Sequence, residues 1–175
     1  MKNFNPTNSE MQAILDDIQE CAGYRFKDPS LLMTALTHSS YAAECTRPVE
    51  CNERLEFLGD SVLGFVTAEF LFARHPNLPE GDLPRIRAAL GCEQSLYEVA
   101  RKLDLGRYLR LGRGEEAGGG RTRTSILADA TEAVFAAVYL DGGIGAARDL
   151  FHRVLLDADE ETAVEVRLRY YTTTH

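Results

Sequence analysis

Apolar residues recur along this chain at helical spacing, three and four apart, and nowhere alternate convincingly with period two. Met11, Ile14, Leu15 and Ile18 form one such stripe, and Thr7-x-x-Glu10 ahead of it has the form of a capping box, predicting a helix through about Cys21. Asp28-Pro29 opens a second helix, with proline at the favoured first position and Leu31, Leu32, Ala35 and Leu36 on its apolar side. Thr37-His38-Ser39-Ser40-Tyr41 breaks that pattern. A long helix follows from about Glu53 to Arg74, stopping before Pro76 and Pro79, with Leu55, Leu58, Val62, Phe65 and Val66 as its core face. From Glu80 a further helix carries Ile86, Leu90, Leu96, Val99 and Leu103, with Pro84 tolerable only in its first turn. Gly112 to Gly120 reads as a loop. Helix resumes from Ser125, a good N-cap, to Leu140; Asp141-Gly142-Gly143 stops it, and Ile144 to about Asp159 makes the last helix. The predicted fold class is all-α, without internal repeat or low-complexity linker.

A chain of 175 residues with 45% hydrophobic residues sustains one well-buried core and one domain. With 19 Lys and Arg against 27 Asp and Glu, the formal charge of −8 argues against tight non-specific binding of nucleic acid by the whole surface. The charge is uneven, however. Arg101, Lys102, Arg107, Arg110, Arg113, Arg121 and Arg123 face only Asp104, Glu115 and Glu116 in the same segment. These cations either contact phosphate or balance the acidic surface, and both readings stand. The run from Asp157 to Glu165 is acidic and reads as solvated. Cys21, Cys45, Cys51 and Cys92 show no Cys-x-x-Cys pair and read as reduced, buried thiols. No apolar run resembles a signal peptide or reaches membrane-spanning length, so a cytoplasmic protein with no membrane partner and no organic cofactor is expected. Gly118-Gly119-Gly120 lacks both a Gly-Lys-Ser/Thr ending and a preceding strand, which argues against a P-loop.

The chemistry concentrates in Asn52-Glu53-Arg54-Leu55-Glu56-Phe57-Leu58-Gly59-Asp60-Ser61-Val62-Leu63. Glu53, Glu56 and Asp60 fall within about 60° of one another on a helix that is otherwise apolar. Like charges so placed repel, and a metal, a proton or a cationic side chain must neutralise them. Asp129 and Glu132, again three apart, make a second stripe, with Asp129 near the positive end of its helix dipole. Ala128, Ala130, Ala133, Ala136 and Ala137 allow a close neighbour, and Gly64 and Ala68 extend the carboxylate side of the first helix in the same way. Two close-packed helices, each lending carboxylates, make an all-oxygen site suited to Mg²⁺, with Mn²⁺ as a substitute. A solvated face explains most lone charge stripes; the second stripe weighs against it here. His38 lacks an obvious carboxylate or metal partner and reads as a hydrogen-bonded structural residue, while His75 and His152 carry no functional signal.

The Asn52 to Leu63 run resembles the signature of the ribonuclease III family. Leu36-Thr37-His38-Ser39-Ser40-Tyr41, Glu80-Gly81-Asp82-Leu83, Arg87-Ala88-Ala89-Leu90, Leu109-Arg110-Leu111-Gly112-Arg113-Gly114-Glu115 and Ser125-Ile126-Leu127-Ala128-Asp129-Ala130-Thr131-Glu132-Ala133 resemble the family's other blocks in the family's order, over roughly residues 10 to 160. The resemblance implies a helical endonuclease domain over residues 1–160 that forms a homodimer, holds double-stranded RNA in a valley and cuts one strand per site. It further implies 5′-phosphate and 3′-hydroxyl products, and processing of ribosomal RNA precursors and other structured RNAs. Glu56, Asp60, Asp129 and Glu132 match the family's catalytic and metal-binding carboxylates; Glu53 and Glu80 match acidic positions with outer-shell or substrate roles. On that reading Glu132 bridges two Mg²⁺ ions, Glu56 and Asp129 complete the inner shell, and Asp60 and Glu132 are the indispensable pair. The apolar face at Phe57 and Leu58 looks like the family's dimer contact, and a monomer core explains those residues equally well.

Bacterial members of the family usually continue into a double-stranded-RNA-binding domain, whereas residues 161–175 form a tail where the linker to it would begin. The expectation is therefore weaker, more salt-dependent RNA affinity than in a two-domain relative. Pro84 stands where a polar residue is more usual. Two rival readings remain. A domain that binds structured RNA or a partner without cutting is disfavoured by the intact carboxylates, and a helical phosphohydrolase of small molecules does not account for the ordered blocks.

Overall fold

The computed structural model describes residues 8–156, so Thr7 of the predicted capping box, the Asp157–Glu165 run and the 161–175 tail lie outside the described residues. The elements are α1 (Asn8–Ala22), α2 (Pro29–Ala35), α3 (Ser39–Glu44), α4 (Glu53–Arg74), α5 (Leu83–Leu90), α6 (Glu93–Lys102), α7 (Leu105–Tyr108), α8 (Arg113–Ala117) and α9 (Thr124–Leu155), with a 3₁₀ turn at Gly120–Thr122. The all-α expectation holds: among the described residues the only β-type pairing is an isolated bridge between Thr37 and Arg110.

The two carboxylate-bearing helices, α4 and α9, form the principal packing pair, and α6 lies along α9 on another side. Phe135, Phe151, Leu71, Leu96 and Leu150 are fully buried between them, with Ile18 of α1 and Leu32 of α2 closing the core. Asp28 caps α2 by accepting from the Ser30 N–H at 3.1 Å, as Asp28-Pro29 predicts. α9 kinks at Gly143 (φ 81°, ψ −177°), so the predicted stop becomes a bend within one long element. Asp141 secures that bend, accepting from the Tyr24 hydroxyl at 2.6 Å and from the Lys27 and Asp28 N–H groups at 2.8 and 2.9 Å.

Several sequence expectations are corrected. The single helix from Glu80 to Leu103 is two helices, because Cys92 is extended (φ −71°, ψ 159°) and ends the run of helical backbone after Gly91. The segment Thr37–Tyr41 interrupts only briefly; α3 starts at Ser39, with His38 as its cap. Gly112–Gly120 contains the short helix α8. Arg123, not Ser125, occupies the N-cap position of α9. Phe65 is 55% exposed rather than core. Cys21 and Cys92 are exposed and Cys45 and Cys51 half-buried, so the four form no disulfide and none is buried.

Hydrogen bonds between distant sequence blocks hold the start of α4 in place. The buried Thr37 hydroxyl donates to Met33 O at 2.6 Å and accepts from Arg110 Nε at 2.8 Å. The backbone pairs His38 N–H with Arg110 O and Arg110 N–H with Leu36 O, at 3.0 and 2.8 Å. Asn52, also buried, donates its N–H to Thr37 O at 2.8 Å and its side-chain amide to Ala35 O at 3.1 Å. Every buried polar side-chain atom among the described residues has a partner, as a stable interior requires.

Candidate metal centre

α4 and α9 meet at Gly59. A Cβ there would overlap the carbonyl group of Glu132, so only glycine lets the backbones approach this closely. Gly64, which the sequence suggested for that purpose, has open space around it. Within one turn of the contact, side chains from the two helices converge: Glu56, Asp129 and Glu132 are half-buried and each offers a carboxylate oxygen within 4.8 Å of the others.

Burial and mutual repulsion leave this cluster short of positive charge. Burial first, then the charge of Asp129, a hydrogen bond with it, and the charges of Glu53 and Asp60 push the Glu56 carboxyl up to about 7. Burial and then the charges of Asp60, Glu56 and Asp129 push Glu132 up to about 8. Burial also raises Asp129, opposed by the hydrogen bond from Glu56 and the nearby His38 and reinforced by Glu93. No arginine or lysine is among the groups acting on these three carboxyls. Three oxygen-donating groups whose repulsion is relieved only by protons or a cation fit a hard divalent ion.

The other predicted site residues sit at different distances from this centre. Asp60 is exposed and outside the three-residue cluster, yet it is the largest charge acting on Glu132. It lines a polar hollow with Ser61, Gly64, Arg87 and Gly91. Glu53 acts on Glu56 from the preceding turn. Glu80 is not brought to the cluster within this chain; it borders an apolar groove of about 410 Å³ with Phe65, Phe72, Leu83 and Arg87. Sequence reasoning missed His38 and Glu93, both close enough to act on Asp129. Glu93 comes to the site only because the chain breaks at Gly91 and starts α6 beside α9, and neither residue carries a spacing signal.

Three of the clustered cations are engaged internally. Arg121 pairs with Glu116 and donates to the Gly106, Arg107 and Leu109 carbonyls. Arg123 pairs with Glu115 and bonds Gly118 O at 3.1 Å. Arg110 binds Thr37 and lies 5.0 Å from the Tyr41 ring centroid. For these three the structural reading prevails over phosphate contact. No helix among the described residues is long and apolar enough to cross a membrane.

Comparison with known proteins identifies the family and the fold. Residues 28–158 match the family model described as Ribonuclease-III-like. The chain is 52% identical over 153 residues to Ribonuclease 3 of Caldanaerobacter subterraneus subsp. tengcongensis, covering 87% of this chain and 65% of that protein. It is 58% identical over 136 residues to Ribonuclease 3 of Symbiobacterium thermophilum, covering 78% of this chain and 57% of that one. The chain thus spans roughly three-fifths of the length of the curated relatives it matches. A solved nuclease domain of ribonuclease III from Campylobacter jejuni superposes with a TM-score of 0.76 at 39% identity, covering 81% of this chain and 96% of that one. That protein is described as structurally flexible in the region involved in dimer formation.

Proposed function

The chain belongs to the ribonuclease-III-like family, and on that premise we propose that it is an endonuclease that hydrolyses the phosphodiester backbone of double-stranded RNA with the help of Mg²⁺. The observation that carries this reading is the meeting of Glu56, Asp129 and Glu132 from two helices within 4.8 Å, with no arginine or lysine acting on them.

These three residues would hold the ion, and Mn²⁺ would substitute for Mg²⁺ with the same oxygen donors. When bound, it supplies a Lewis acid for the scissile phosphate and lowers the pKa of an attacking water. Glu132, whose carboxyl is pushed up furthest, to about 8, would be the ligand shared by two such ions and would have to be deprotonated to serve as one. Glu56 and Asp129, which share a hydrogen bond between their carboxyls, would complete the inner shell. Asp60, which lines the adjoining hollow beside the ligand set, would orient the attacking water by accepting a hydrogen bond from it, and with Glu132 makes the indispensable pair. Glu53 and Glu80 keep outer-shell or substrate roles outside the ligand set. The products carry 5′-phosphate and 3′-hydroxyl ends. A-form RNA suits this surface, because its shape and 2′-hydroxyls are read without base-specific side chains. Ribosomal RNA precursors and other structured RNAs are the cellular substrates this reading implies, in the cytoplasm.

The endonuclease unit is assigned to residues 1–160, with 161–175 as a tail beyond it. A homodimer completes the reading. Phe57, Phe65 and Phe72 stand on one side of α4, 81%, 55% and 80% exposed, an apolar stripe of the kind that marks a protein interface. Leu58, by contrast, packs on the monomer core.

The deciding experiment incubates the purified chain with a long, fully paired RNA at low salt in Mg²⁺, Ca²⁺ or EDTA, followed by end analysis. Cutting of both strands to 5′-phosphate ends in Mg²⁺ alone is expected. RNA that binds in Ca²⁺ yet stays intact in Mg²⁺ would turn the assignment to a binding protein.

A further inference from the structure

His38 stands outside the carboxylate set, and its neighbours favour one tautomer of its ring. Nδ1 lies 3.2 Å from the Ser40 backbone nitrogen, whose N–H donates to it, and 2.7 Å from Ser40 Oγ. Ser40 Oγ itself accepts from the Gly112 N–H at 2.8 Å, which leaves its own proton for the imidazole. A backbone N–H can only donate, so Nδ1 presents a lone pair and the ring proton sits on Nε2. A proton on Nδ1 would break the bond from the Ser40 N–H and with it the cap of α3. The ring cannot drift, because the His38 N–H is tied to Arg110 O at 3.0 Å and Thr37 before it is fully buried. Nε2 has no hydrogen-bond partner among the described residues. The half-buried ring lies in the neighbourhood of Asp129, whose carboxyl is hydrogen-bonded to Glu56 rather than to the imidazole.

We propose that His38 presents a neutral Nε2–H donor to a non-bridging phosphate oxygen of the RNA strand at the Asp129 edge of the carboxylate centre. The proposal rests on the nuclease reading above and adds a substrate contact to it. The acceptor must come from outside the chain, and phosphate oxygens are what a nucleic acid brings to a metal-binding carboxylate cluster. A neutral donor suits this place better than a lysine or arginine, which would pair with the carboxylates and compete with the cation. Because no charge is neutralised, the contact orients the strand without adding to counterion release.

Two substitutions separate the donor from the cap. In His38→Asn the side-chain oxygen replaces Nδ1 as acceptor for the Ser40 N–H, and the Nε2 donor is lost. In His38→Gln the amide N–H₂ reaches toward the Nε2 position, and the cap is lost. With a defined RNA duplex in Mg²⁺, well below the melting temperature of each variant, His38→Asn is expected to raise KM about tenfold or more. Its melting temperature, Mg²⁺ midpoint and slope of binding against salt should stay near wild type. His38→Gln is expected to melt lower yet retain a KM close to wild type. Unchanged KM and kcat in His38→Asn, losses in both variants that follow melting temperature alone, or a shifted Mg²⁺ midpoint at unchanged KM would each overturn the phosphate contact. Wild-type chain that fails to cut duplex RNA would overturn the nuclease reading and this contact with it. Wild-type cutting matched by His38→Asn would sink the contact alone.

Discussion

Held half-buried among like charges, Glu132 retains a proton up to about pH 8, and Glu56 up to about pH 7, whereas both titrate near 4.5 in an unconstrained chain. Between those limits the native state binds more protons than the unfolded one, so the stability these groups contribute is full below about 4.5 and is lost as pH rises through 7 and 8. Asp141 is shifted the other way, its partial burial outweighed by hydrogen bonds from Tyr24, Lys27 and Asp28, and acts only in more acid solution. The metal-free melting temperature should therefore fall between about pH 5 and pH 8.5. Mg²⁺ replaces protons at the same oxygens, so its stabilisation should be larger at pH 8 than at pH 6. Thermal melts in EDTA and in millimolar Mg²⁺ across that range check both; an EDTA curve flat with pH, or an equal Mg²⁺ effect at both pH values, would count against the site. Glu132→Gln removes the most repelled charge while keeping its shape. Cleavage should drop by roughly 10³-fold or more, the metal-free fold should be at least as stable at pH 8, and the oligomeric state should be unchanged. Near wild-type turnover would remove Glu132 from the proposed ligand set.

At the scale of elements, the site depends on how closely α4 approaches α9. Gly59→Ala has to push a methyl group into the Glu132 carbonyl, which both strains the packing and moves the carboxylates apart. A loss of about 1–3 kcal/mol in stability is expected, together with weaker Mg²⁺ binding. Gly64→Ala five residues along meets open space, so helix propensity alone acts, and a gain of about 0.5–1 kcal/mol is expected. Denaturant melts of the two variants side by side test the contact, and equal behaviour would refute it. The motif at Thr37–Tyr41 belongs at this scale too. It reads as a break in a helix, but its role is to bind the Leu109–Arg113 strip and the start of α4 into one unit.

For the whole molecule, the exposed Phe57, Phe65 and Phe72 on α4 are costly to leave in water. The proposed dimer covers them. Phe57→Asp with Phe72→Asp should yield a monomer by sedimentation equilibrium while the far-ultraviolet circular dichroism stays helical, because neither side chain belongs to the monomer core. A monomeric wild-type chain at micromolar concentration would remove the dimer from the reading. The internal ion pairs of Arg121 and Arg123 withdraw these two cations from the supposed basic patch.

Helical spacing was enough to establish the all-α class, the extent of α4 and the two carboxylate stripes, because a local period of 3.6 residues determines which side chains share a face. The stop at Asp141-Gly142-Gly143 was legible as well, since only glycine accepts the backbone found at Gly143. The break at Gly91, the cap at His38 and the exposure of Phe65 were not legible, because each depends on neighbours supplied by distant segments. So does the site. Period places Glu56 on one stripe and Asp129 and Glu132 on another, but Gly59 sets the helix separation that brings their oxygens within 4.8 Å. The same packing leaves Glu80 on a separate groove and sets His38 and Glu93 beside Asp129. Spacing along a chain specifies direction from a helix axis, while distance between axes comes only from how the helices pack.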